Sequence, residues 1–253
     1  MQPVVVDVNR QLRAVSWPAF SQGFNLEKLT GWKPGSVGVR AETIEVEDGH
    51  GEYDLPVFRG RRTIELSGYV VAESDRQLNR FGDQLASVLA DGGRGPVVVT
   101  EQGEQRWARA RLHGTPKFET TFRNRADFEL ELRCPDPRIF GHKESIAGYA
   151  VEIVNWGTFP SSPTIQVSGS GSNDYAVYGP EGRKWLVSRD LVAGHPHTLD
   201  IESGDLIIDG QLILDGLVEA EPFACPPGQG TSISFDPNGN DAMMTVTNYS
   251  AYI

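Results

Sequence analysis

The sequence predicts a mainly β protein in two parts, with one helix in the first. Three observations carry that reading. Apolar and polar residues alternate with period two, most cleanly where Phe128, Leu130 and Leu132 are set against Asp127, Glu129 and Glu131. Strong helical periodicity is confined to residues 74–90. Charge divides unevenly near residue 140: residues 1–140 hold 19 Lys and Arg against 20 Asp and Glu, whereas residues 141–253 hold 4 against 14. A chain of 253 residues fits one large domain or two of ordinary size. The charge break favours two, 1–138 and 139–253.

In the first part, Val4–Val8 reads as a short apolar strand, followed by aromatic anchors at Trp17, Phe20, Phe24 and Trp32. Thr43–Val46 reads as a strand. Glu47–Arg61 is rich in Asp, Gly, His and Pro and is too long for a simple hairpin turn. Arg62–Val71 alternates, with Ile64, Leu66 and Gly68 on one face and Thr63, Glu65 and Ser67 on the other. The helix follows. Ser74 and Gln77 form a capping box, in which each side chain satisfies a backbone N–H at the helix start. Leu78, Phe81, Leu85, Val88 and Leu89 fall on one stripe that must be buried. Gly92 or Gly93 can supply a left-handed stop. Pro96–Thr100 reads as a buried strand, and Arg106–Leu112 as one with a basic, solvated face. Cys134-Pro135-Asp136-Pro137-Arg138 ends this part as a stiff connector, because two prolines fix φ and extend the residues before them.

The second part reads as all β. Tyr149–Val154 and Thr164–Gly169 are strands separated by turn residues. Asp205–Asp209 and Gln211–Asp215 flank Asp209-Gly210, a two-residue hairpin signal because both positions tolerate positive φ. Ser232–Phe235 and Met243–Asn248 follow, with Asp236-Pro237-Asn238-Gly239 as a turn between them. Short strands with turns every ten or so residues indicate a sandwich.

The formal net charge of −11 sits almost entirely in the second part and disfavours nucleic acid and anionic membranes as partners. Two cysteines, Cys134 and Cys225, cannot build a disulfide framework for this length. The first residues lack a basic n-region and carry Asp7, and no apolar run approaches the roughly 20 residues of a membrane helix. A soluble product made in a cytosol is expected.

Chemistry is sparse. His195-Pro196-His197 would place two imidazoles on one side of an extended segment, half of a metal site, but no third ligand is identifiable and a polar turn is the plainer reading. His50, His113 and His142 stand beside glycines and read as loop residues. No nucleophile elbow occurs. Ser168-Gly169-Ser170-Gly171-Ser172-Asn173 leads into no helix, lacks a dipole end for phosphate, and reads as a flexible turn. Asp205, Asp209, Asp215, Glu219 and Glu221 sit at turns and strand ends, where local backbone bonding accounts for them. Trp156, Tyr175, Tyr178 and Trp185 divide between core packing and a sugar-stacking surface, with Trp156 and Trp185 the candidates for stacking. The Arg59, Arg61, Arg62 and Arg106, Arg109, Arg111 groups are balanced by nearby acids. Asn248-Tyr249-Ser250 matches a glycosylation sequon, read as coincidence. No catalytic residue, metal set or cofactor is assigned. Tyr53, Leu55, Val57 and Phe58 place apolar side chains in a long segment with no local reason for them, and are candidates for an oligomer interface.

Four stretches resemble one family, the distal tail proteins of long, flexible-tailed bacteriophages, often described as minor tail proteins. Arg61-Arg62-Thr63-Ile64-Glu65-Leu66-Ser67-Gly68-Tyr69 with the capped helix resembles the strand–helix core of that family. Arg133 to Arg138 resembles the junction ending its first domain. Asn155-Trp156-Gly157-Thr158 through Pro163 to Gly169 resembles the opening of its second domain, and Pro226-Pro227-Gly228 through Thr245 to Asn248 its closing strands. The acidic loop from Asp215 to Gly230 departs from the pattern. The resemblance implies a β-sandwich-like belt domain that assembles into a hexameric ring, and a peripheral galectin-like β-sandwich. It implies a structural, non-enzymatic protein of the virion, at the distal end of the tail. The ring would join the tail tube to baseplate or tip hub proteins beneath the tape-measure protein. The alternative is a carbohydrate-binding adsorption module recognising host cell-wall glycan through Trp156 or Trp185.

Overall fold

The computed structural model describes residues 4–7, 14–16 and 23–253, the first two stretches by backbone alone. Trp17 and Phe20 lie outside the described residues. The chain divides into two compact units, Met1–Ile139 and Phe140–Tyr252. Both are built mainly from antiparallel strands, as the sequence predicts.

The first unit contains β1 (Val4–Asp7), β2 (Ala14–Ser16), β3 (Phe24–Thr30), β4 (Val39–Arg40), β5 (Phe58–Arg59), β6 (Arg62–Val71), α1 (Asp75–Ala86), β7 (Gly95–Glu101), β8 (Glu104–Phe122) and β9 (Arg125–Cys134). Strand β6 has the expected span and faces, with Ile64, Leu66, Gly68 and Val70 buried. It pairs with β3 on one side and β9 on the other. The 19-residue β8 serves two ladders: residues 104–110 pair with β7, and residues 111–122 pair with β9. The partner changes between Ala110 and Arg111, and a register shift between His113 and Lys117 within the β9 ladder marks a bulge that bends and twists the strand. β1 runs parallel to β7 and antiparallel to β2. The expected buried run at Val97–Val99 is instead alternating, with Val97 and Val99 buried and Val98 half-buried. His113 and His142 lie in strands, not loops.

Helix α1 is capped as expected, with the Ser74 side chain accepting from the Gln77 N–H. The Gln77 side chain reaches back one residue further than a capping box does, to the Glu73 N–H at 2.6 Å. The helix ends at Ala86, four residues before the expected Ala90. Ser87 N–H is shared between the Asp83 and Gln84 carbonyls, and Leu89 already takes a positive φ of 47°. Val88 and Leu89 are still buried, because the tight turn that follows keeps them facing the core. Phe81 meets the Phe24 ring edge-on at 5.3 Å, and Phe24 meets Phe128 at 5.4 Å. This aromatic chain fastens the helix to β3 and β9.

Arg62 is fully buried. Its Nε donates to the Pro137 carbonyl at 2.8 Å, and its Nη1 to the Gly31 carbonyl at 2.6 Å. Arg138 in turn forks onto Asp136, with Nε and Nη2 each reaching a carboxylate oxygen. The proline-rich connector is therefore held by charge-assisted bonds as well as by its rings. Burial pushes the Cys134 thiol beside it up to about 11, against the pull of Arg62.

The second unit contains β10 (Ile139–Gly148), β11 (Ala150–Val154), β12 (Thr164–Ser170), β13 (Tyr175–Tyr178), β14 (Lys184–Val187), β15 (His197–Asp200), β16 (Asp205–Ile208), β17 (Gln211–Ile213), β18 (Leu217–Ala220), β19 (Gly230–Asp236) and β20 (Asp241–Tyr252). One sheet runs β17-β16-β15-β12-β20-β10 and the other β11-β19-β13-β14-β18. Ile165, Val167, Leu199, Leu206, Met244 and Val246 from the first share a core with Val151, Ile153, Val177, Trp185, Val187 and Ile233 from the second. That is a β-sandwich. Asp209 and Gly210 form the two-residue turn with φ of 53° and 75°. The segment from Asp215 to Gly230 is not a loop throughout. It contains β18, and Cys225 exchanges backbone bonds with Ser161.

The opening of this unit hangs on Asn155, which is fully buried. Its Nδ2 donates to the Phe159 and Cys225 carbonyls, and its Oδ1 accepts from the Gly157 and Ala251 N–H groups. All four amide bonding positions are thus used. Gly157 follows where a Cβ would lie 1.9 Å from the Ala251 carbonyl oxygen. The Gly-rich run expected as a flexible turn is tied down as well. Gly169 has no room for a Cβ beside Asp241, and Asn173 and Asn240 exchange bonds.

Two outcomes follow from this packing. Gly157→Ala forces backbone apart in a filled core and is expected to cost at least about 2 kcal/mol in chemical denaturation. His197 is buried against Tyr175, its Nδ1 2.9 Å from the Tyr175 hydroxyl. Desolvation, then the Arg189 charge, depress its pKa below 6.5, opposed by a hydrogen bond to the Asp190 carbonyl. The unfolded chain therefore binds this proton first as pH falls. The contribution of neutral His197 is intact above about pH 6.5 and is lost as pH drops toward the depressed folded value. Thermal melts between pH 7.5 and 5.5 should show falling Tm, with a shallower slope in His197→Gln.

Candidate interaction surfaces

Between Val37 and Gly60 the first unit sends out a long arm. Its base is anchored by Trp32 and Val37, both buried, and closed by the Gly60 N–H donating to the Gly38 carbonyl at 2.9 Å. β4 and β5 pair over two residues only, Val39 with Arg59 and Arg40 with Phe58. Further out, Tyr53 N–H donates to the Ile44 carbonyl, and Glu45 bridges Glu52. The expected strand at Thr43–Val46 is reduced to that bridge. The segment expected to be too long for a hairpin turn folds back as the second leg of the arm.

The arm exposes apolar side chains in quantity. Tyr53 is 58% exposed, Val57 56% and Phe58 60%, joined by Val39 and Ile44, each more than half exposed. Leu55 is half-buried. Single exposed apolar residues are ordinary; five on one 20-residue arm form a patch that needs an explanation. Tyr53, Leu55, Val57 and Phe58 are thus brought onto one element. Val39 and Ile44 are the additions that sequence reading missed.

The stacking candidates of the second unit are not brought together. Trp185 is fully buried in the sandwich core, with its indole Nε1 donating to the Glu221 carbonyl at 2.8 Å. It cannot stack on a sugar. Trp156 is 62% exposed, its backbone N–H held by the Ser250 hydroxyl. Tyr175 is core and Tyr178 is on the surface. Tyr178 borders a shallow groove with Ala150, Glu152, Gly179 and Ser232, and Trp156 is not among its lining residues.

Several of the remaining polar candidates have structural partners. His195 and His197 do not share a side: His195 lies in a turn closed on Val192 and contacts Asp209 Oδ2 at 2.6 Å, whereas His197 points into the core. Asp215 pairs with Arg189, and Glu219 with Lys184. Glu221 accepts from the Lys184 N–H. Asn248 is buried and accepts the Ser161 hydroxyl, so the sequon is closed in the fold. Arg62, grouped with Arg59 and Arg61 in the sequence, belongs to the interior.

Comparison with known proteins assigns this architecture. Residues 22–134 match the model of the phage tail protein RIFT-related domain. Among curated proteins, none matches the chain. The solved structure of the Dit (gp 19.1) protein of phage SPP1 is similar, with 15% identity over 91% of this chain and 94% of that one and a TM-score of 0.67. That protein is described as a paradigm of the hub adsorption apparatus in phages infecting Gram-positive hosts. A chain of the phage p2 baseplate in its activated conformation with Ca is also similar. It has 6% identity, covers 90% and 91% of the two chains, and has a TM-score of 0.56. Residues 22–134 thus match a phage tail protein RIFT-related domain, within a fold shared along nine-tenths of the chain with a phage tail hub protein, and the chain resembles the siphophage distal tail proteins.

Proposed function

We propose that the protein is a structural, non-enzymatic component of a phage tail tip, whose first unit closes into a ring of six copies by head-to-tail contacts. The ring joins the tail tube to baseplate or tip hub proteins beneath the tape-measure protein. The second unit, a galectin-like sandwich in this reading, lies at the periphery. The protein is made in the host cytoplasm and carried at the distal end of the virion tail. The observation that carries the proposal is the apolar arm from Val39 to Arg59, borne by a unit that matches a tail-protein domain. An arm with five half-exposed apolar side chains is covered most simply by the next copy. The near-neutral balance of residues 1–140 lets identical surfaces meet without strong repulsion.

Val57→Asp with Phe58→Asp tests this by placing unpaired charge in the contact. Size exclusion with light scattering should read six copies for the parent protein and one for the variant, with Tm changed little because both residues are exposed. Rings that persist in the variant, or a parent that stays monomeric at high concentration, would refute the arm as the assembly element. A second reading, binding of host cell-wall glycan by the outer unit, is favoured by one observation, the 62% exposure of Trp156. Calorimetry of the full chain against cell-wall oligosaccharide should then show heat that Trp156→Ala abolishes; equal heat from both proteins removes the reading.

A further inference from the structure

The sandwich leaves two strand ends open on consecutive pieces of chain. β17 is the last strand of one sheet and β18 the last strand of the other, and only Leu214-Asp215-Gly216 separates them. Leu212 is 54% exposed, Val218 63% and Leu214 90%, the highest value for a large apolar side chain among the described residues. Free edges are blunted by Lys, Pro, a bulge or brevity of the strand. β17 carries no Lys, Pro or bulge, and its three residues limit an added strand to a short segment.

Hairpin geometry states which backbone groups the edge offers. The Asp209-Gly210 turn makes Ile208 and Gln211 the first hydrogen-bonded pair of an antiparallel ladder. Ile207 and Leu212 are then the next, non-bonded pair, and Leu206 and Ile213 the bonded pair after it. The N–H and C=O of Leu212 therefore point away from β16, toward the open edge. The Leu212 and Leu214 side chains, two residues apart on extended chain, share one face. Outward backbone groups and two apolar side chains in register form an acceptor for an added strand.

Charge selects the occupant. Residues 190–253 contain ten Asp and Glu and no Lys or Arg. Asp205, Asp209, Asp215, Glu219 and Glu221 all lie on β16, β18 or the turns beside them; Lys184 pairs with Glu219, Arg189 with Asp215, and His195 contacts Asp209. A second copy would bring the same acidic edge against this one and be repelled. We infer that β17 is a docking edge for an extended segment of a different polypeptide, alternating apolar and basic residues, added to the sheet beside Leu212 and Leu214. The apolar residues of the segment cover the two leucines, and its Lys or Arg residues meet the surrounding carboxylates. This inference concerns the second unit and is independent of ring formation by the first.

A fluorescein-labelled eight-residue peptide alternating Lys and Val serves as probe, titrated into the full chain and followed by anisotropy. Binding is expected, together with slowed amide exchange at residues 211–214. Leu212→Pro removes the outward N–H without touching the bonds to β16. Leu214→Ser removes the apolar contact at the most exposed position. Each should weaken binding at least tenfold at unchanged Tm, and the Leu214 variant stands as the test if the proline variant misfolds. No binding of the Lys-Val peptide overturns the inference. So does equal binding of a Pro-interrupted peptide of the same charge, of a Glu-Val peptide, or of the Leu214→Ser protein. A drop in the number of copies per particle on size exclusion in Leu212→Pro would make a second copy the occupant, and also overturns it.

Discussion

The first unit depends on one buried cation. Arg62 begins the central strand β6, and its guanidinium reaches the Gly31 carbonyl at the foot of the arm and the Pro137 carbonyl in the connector. Three stretches far apart in sequence are thereby fixed to one rigid fork. Burial lowers the pKa of this arginine, with Cys134 and Asp136 acting in the opposite sense. A lysine could not replace it, since a point charge cannot address two separated carbonyls in a fixed plane. The foot of the arm is tied to β6 where Arg62 bonds the Gly31 carbonyl. Gly31 itself has no space for a side chain beside the Thr63 carbonyl.

The second unit repeats the strategy with a neutral group. Asn155 uses both amide hydrogens and its oxygen to join the chain at Phe159, the returning segment at Cys225 and the final strand at Ala251. In each unit a single buried polar side chain gathers irregular backbone that no sheet ladder could satisfy. Asn155 has every amide position bonded, whereas the Nη2 of Arg62 is left without a hydrogen-bond partner. The surrounding apolar core then supplies most of the cohesion, as the size of the shared cluster requires.

Much of this was legible in the sequence, and the failures share a cause. β6, β9, the Asp-Gly hairpin and the Ser74 cap announce themselves because period and turn chemistry are local properties. Where tertiary partners decide, residue type misleads. Thr43–Val46 has the composition of a strand but no partner beyond one bridge. α1 stops early because Leu89 adopts a left-handed conformation that leucine composition does not signal. β13, β14, β15 and β18 were not anticipated, each being four residues long, too short for periodicity to register. Trp156 and Trp185 are chemically identical, yet one is surface and the other core. Arg62 stands in a run with Arg59 and Arg61, and it alone of the three is buried. Tyr53, Val57 and Phe58 stand where no local pattern requires apolar residues, and all three are exposed on the arm.

The long strand β8 has a mechanical consequence. Its two halves are laddered to different neighbours, β7 and β9, so the two ladders are sewn along one continuous thread. Tension applied along that thread loads many inter-strand bonds side by side, in shear, and none can peel before the rest. A scaffold element pulled lengthwise in this way resists as a block, where the same bonds arranged for unzipping would yield one by one.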